Sequence, residues 1–84
     1  MNKKITVTND NQEQLFCVVS AEQDLEEQMR EVLGVTPGYG MSVDIYPDKI
    51  KLVDYFHGDT RATFSILSME DTNDPVCLNW KREK

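Results

Sequence analysis

The chain has little of what catalysis or metal binding requires. Its 84 residues include one histidine and two cysteines. Cys17 and Cys77 stand sixty residues apart, neither in a Cys-x-x-Cys, and His57 completes no recognised zinc spacing with them. Both thiols therefore read as small buried hydrophobes, with a disulfide between neighbouring strands as the lesser alternative. No run of about 18 apolar residues occurs, so no transmembrane helix is expected. The opening stretch from Met1 to Asn9 carries the charge of a secretion signal but turns polar before an apolar core can form, which points to the cytoplasm. Repeats and low-complexity tracts are absent. An apolar fraction of 39% with Trp80, three Tyr and three Phe is enough for one thin core, which excludes global disorder and sets a single domain over 1–84.

Positive charge is also scarce, and most of it lies at the ends. Lys3, Lys4, Lys81, Arg82 and Lys84 make up five of the nine cations. From Ile5 to Trp80, four cations (Arg30, Lys49, Lys51, Arg61) face fourteen carboxylates, a net charge of −10 against −6 for the whole chain. A field of that sign repels nucleic acid and anionic membranes and attracts basic surfaces. The terminal lysines and arginine read as solubilising charges on frayed ends.

Apolar periodicity gives the order β-β-α-β-β-β-β. Ile5 and Val7 alternate with Lys4, Thr6 and Thr8, and Leu15 to Val19 is a continuous apolar run suited to a strand buried on both faces. Ser20, with Gln23 three residues on, resembles a capping box; Leu25, Met29, Val32 and Leu33 then form one helical face, which Gly34 ends and Pro37 prevents from resuming. Met41 to Tyr46 alternates, Pro47-Asp48 marks a reversal, and Lys49 to Phe56 sets Ile50, Leu52 and Phe56 against Lys49, Lys51, Val53 and Tyr55. After a turn at His57 to Thr60, strands are expected over Ala62 to Met69 and Val76 to Trp80. Consecutive strands on short turns imply a two-layer α+β fold, an antiparallel sheet of five to six strands with one helix on a face.

No constellation supports an enzyme. His57, Asp59 and Arg61 share a turn but have no nucleophile beside them, Ser20, Ser42, Ser65 and Ser68 lie outside any Gly-x-Ser-x-Gly, and Gly38-Tyr39-Gly40 lacks the rest of a phosphate loop. Asp71 and Asp74 lack the glycine and closing glutamate of a calcium loop. Neither cofactor nor metal is expected. On the helix, Asp24, Glu27 and Glu31 fall opposite the apolar stripe at intervals of about 4.5 and 6 Å, comparable to the ~3.4 Å between phosphates of one strand. Such a row suits lysines and arginines placed to hold a nucleic-acid backbone; an ordinary solvated helix face has the same pattern. Asp44 alternates outward on its strand and Asp48 sits at a reversal, adding to the acidic surface.

From Gln14 to Tyr46 the chain resembles the phage uracil-DNA glycosylase inhibitor family. The likeness runs through Gln14-Leu15, Glu26-Glu27, Glu31-Val32-Leu33-Gly34, Pro37 and Ser42-Val43-Asp44-Ile45-Tyr46. Where the family has a Glu-Ser pair on its first strand, this chain reads Val18-Val19-Ser20, and Ile5 to Thr8 replaces the family's N-terminal helix. The resemblance implies that Glu27 and Glu31 face an enzyme's DNA groove, while Met29, Val32 and Leu33 line a pocket for a protruding side chain. The expected function is thus a small non-enzymatic inhibitor, of phage or mobile-element type and active in the host cytoplasm. It would bind a basic nucleic-acid-processing protein, such as a repair glycosylase or CRISPR effector, and neither nucleic acid nor membrane directly. Two alternatives stand beside it: an immunity protein or antitoxin against a basic toxin, and a housekeeping interaction domain that self-associates. Oligomeric state is left open.

Overall fold

The computed structural model describes residues 1–36 and 38–83. The elements are β1 (Asn2–Thr8), β2 (Gln14–Ser20), α1 (Leu25–Leu33), β3 (Met41–Ile45), β4 (Lys49–Asp54), β5 (Asp59–Thr72) and β6 (Cys77–Arg82). The strands form one antiparallel sheet in the order β3-β4-β5-β1-β2-β6, so the fold is the expected α+β class. Pro37 and Lys84, which the sequence assigned to a turn and a basic end, lie outside the described residues. Among the described residues no helix is long and apolar enough to cross a membrane.

Topology decides which face carries the helix. β2 and β3 lie far apart in the sheet, so the chain must cross it, and α1 makes that crossing. The helix lies against β6, β3 and β2, which include both edge strands, so the sheet curls around it. Phe64 of β5 and Trp80 of β6 stack with ring centroids 5.2 Å apart. Three flat strand spacings would separate their backbones by ~14 Å, and the curl brings the rings together. The core enclosed in this way consists of Ile5, Val7, Cys17, Val19, Met29, Val32, Val43, Ile50 and Phe64. Cys17, Val18 and Val19 are all buried, as the unbroken apolar run of β2 implied. Thr6, expected on a polar face, is buried too because β1 is central.

Two boundaries differ from the sequence reading. The helix starts at Leu25 with Asp24 as N-cap, and no side chain caps it. Ser20 instead ends β2, because Gln28 competes for it. The buried Gln28 side chain accepts a hydrogen bond from Ser20 N–H (2.7 Å) and donates one to Ser20 C=O (3.0 Å), pairing with β2 as a peptide group would. Replacing Gln28 with alanine leaves both backbone groups unpaired and is expected to cost about 2 kcal/mol in urea unfolding. A cost indistinguishable from zero would show that water replaces the amide.

β5 is the other departure, fourteen residues long. Its first half pairs with β4 and its second with β1, and it runs past Met69 because Glu70 and Asp71 stand opposite Lys4 and Lys3. The basic ends are therefore tied down. Lys3 pairs with Asp71, Lys4 with Glu83 and Arg82 with Glu13. Lys4 also lies 4.4 Å from the centre of the Phe16 ring.

Candidate protein-binding face

Charges sort into paired and unpaired groups. Arg30 is held by Glu26 at 3.0 Å across one helical turn, and Arg61 by Asp54. Lys49 and Lys51 lie over the Tyr46 ring. Among the described residues Asp24, Glu27 and Glu31 are exposed with no ion-pair partner, as are Glu22 beside them and several turn and strand carboxylates. Glu27 and Glu31 are carried by a helix that a buried face fixes in place, and Asp24 stands at its N-cap, so the row is held at its backbone.

Glu27 and Glu31 border, with Arg30 and Val35, an open hollow of about 320 Å³. Val35 also lines a second hollow of about 350 Å³, with Leu33, Gly34, Thr36, Tyr39, Met41 and Leu52. The two join into a strip that runs from the carboxylates onto an apolar floor. Gly34 makes the junction possible. Its φ of 71° closes the helix in the left-handed region, and its N–H donates to the Arg30 and Glu31 carbonyls, so the chain turns sharply onto β3.

The proposed site residues separate. Leu33 reaches the groove, whereas Met29, fully buried, and Val32, 9% exposed, belong to the core and offer a partner almost no surface. The middle of the apolar stripe is used up in packing, and its two ends, Leu25 and Leu33, stay partly exposed. Asp44, in register with Lys51, projects from the face of β3 opposite Val43 and Ile45, and Asp48 lies exposed in the β3–β4 turn. Neither joins the helix row.

His57 and Arg61 meet around a different acid from the Asp59 that shares their turn. Asp54, with its side chain 9% exposed, accepts hydrogen bonds from Arg61 (2.6 Å), the His57 ring (2.9 Å) and the Phe56 N–H (3.0 Å). The Arg61 guanidinium, then the His57 ring, hold its carboxyl well below the usual range against the opposing effect of burial. Asp71 is lowered by the Lys3 ammonium. A carboxyl depressed by folding stabilises the fold above its unfolded value, near 3.8, and loses that contribution as pH falls through the folded value. Melting temperature is therefore expected to fall steadily on acidification below about pH 4, with a shallower slope in Asp54→Asn. Equal slopes would place the acid sensitivity elsewhere.

Cys17 is fully buried, and burial first, then Cys77, pushes its thiol up to about 12, so it is inert. Cys77 is only half-buried, at a sheet edge, and both cysteines are free. Among the described residues no group of His, Cys, Asp and Glu converges in a way that would hold a metal ion. No family model, curated protein or solved structure matches the chain.

Proposed function

We propose that this chain is a small non-enzymatic inhibitor that occupies the nucleic-acid-binding groove of a basic protein. One observation carries the reading: Asp24 at the N-cap and Glu27 and Glu31 on the packed helix form a carboxylate row without ion-pair partners among the described residues, beside an apolar groove, while Arg30 and Arg61 are engaged elsewhere. Solvated helix faces usually mix charges, because i,i+4 pairs add support at little cost. Here Arg30 turns to Glu26 and leaves the row bare.

Electrostatic steering would bring a basic groove to the row, and the apolar strip from Val35 to Leu52 would give the complex its desolvated centre. The resemblance to uracil-DNA glycosylase inhibitors makes a repair glycosylase the first enzyme to try. Titrating the protein into such an enzyme should give inhibition that excess duplex DNA relieves and that weakens as salt is raised. Inhibition indifferent to both would exclude groove occupation.

A further inference from the structure

Three residues with exposed aromatic rings are set around Gly40 at one corner of the molecule. Tyr39 is 74% exposed, Tyr55 67% and Phe56 80%. Isolated exposed rings are ordinary on a protein surface, but contiguous ones mark contact sites.

The corner is built rather than loose. Tyr55 N–H donates to Gly40 C=O at 2.8 Å, tying the β4–β5 tip to the loop before β3. Asp54 accepts the Phe56 N–H while its other oxygen holds Arg61 and His57. Phe56 lies over Gly40, where a β-carbon would overlap its ring, and Gly40 has a φ of 73° that other residues rarely adopt. Rings presented on a fixed backbone lose little freedom when bound.

The corner also continues the strip described above. Tyr39 and Met41, on either side of Gly40, line the apolar groove, and Val35 joins that groove to Glu27 and Glu31. Resting on the proposed function, we infer that Tyr39, Tyr55 and Phe56 are the anchor of the same interface. They seat on an apolar surface of the basic partner while Glu27 and Glu31 engage the cations that rim it. Charge argues for this occupant. Glu27 and Glu31 at the far end of the strip have no ion-pair partner among the described residues, and Arg30 and Arg61 are held by Glu26 and Asp54. A second copy seated there would set one carboxylate row near another, which like-charge repulsion opposes.

Two capped hexapeptides test this by NMR titration. One has two leucines between pairs of basic residues, and the other has serines in their place. The leucine peptide should shift the ring resonances of Tyr39, Tyr55 and Phe56 and bind about tenfold more tightly than the serine peptide. In Tyr55→Ser/Phe56→Ala the difference should vanish while serine-peptide binding is retained. Equal affinities with unmoved rings would overturn the anchor yet leave the acidic row standing. Failure of both peptides would overturn both readings. Ring signals that broaden with protein concentration alone would assign the corner to a second copy and likewise overturn the proposal.

Discussion

Converting Asp24, Glu27 and Glu31 to lysine is expected to weaken binding to the basic partner by about a hundredfold or more, without unfolding the protein. All three side chains are exposed, and none makes an ion pair within the described chain that the change would break. A lysine set against a basic surface repels it, so reversal tests more than removal does. Glutamine in place of each carboxylate should give a smaller loss. The salt dependence separates the two effects, since reversal should flatten or invert it. An unchanged affinity would remove the helix from the interface and leave the aromatic corner, or the opposite sheet face with Asp44, as the binding surface.

The largest effect on stability is expected at Met29, a few residues from that row on the opposite side of the same helix. Met29→Ala should cost about 2–5 kcal/mol, because the side chain is fully buried and the space it leaves cannot readily collapse. α1 is a nine-residue helix, too short to persist without packing. Met29 and Val32 are its buried apolar residues, and loosening them loosens the scaffold of the carboxylate row. Chemical denaturation gives the cost directly. A loss below about 1 kcal/mol would mean that α1 packs less tightly than its burial implies.

What periodicity could show was legible in the residues. The Leu25-Met29-Val32-Leu33 spacing located the helix face, Gly34 its end, and strand alternation the sheet, because each is set by neighbours within one element. The start of α1 was not legible. Ser20 and Gln23 have the capping pattern, but Gln28 reaches back across eight residues and draws Ser20 into β2. Nothing local announces a side chain that completes a strand.

Phe56 shows the same limit at the candidate site. Alternation places it with Ile50 and Leu52, but β4 ends at Asp54, which takes the inward position, and the tip carries Phe56 out to solvent. Asp54 itself looked like one turn carboxylate among several. Its role depends on Arg61 reaching it from β5, where a register shift leaves Arg61 as the extra residue between the partners of Leu52 and Val53. The signal for it was an acid at an inward position, closing the Ile50-Leu52-Asp54 alternation. The helix row was legible, as was the i,i+4 spacing that pairs Arg30 with Glu26; where the terminal cations turn was not, because that depends on contacts between distant strands.

The most direct test of the central claim is affinity capture from a cell lysate at low and at high salt, with wild type and the triple lysine variant side by side, read by mass spectrometry. Occupation of a nucleic-acid groove predicts one nucleic-acid-processing protein retained by wild type at low salt. Added DNA should displace it, high salt should reduce it, and the variant should not retain it. A basic toxin retained without DNA competition, or the same proteins on wild type and variant alike, would contradict the claim.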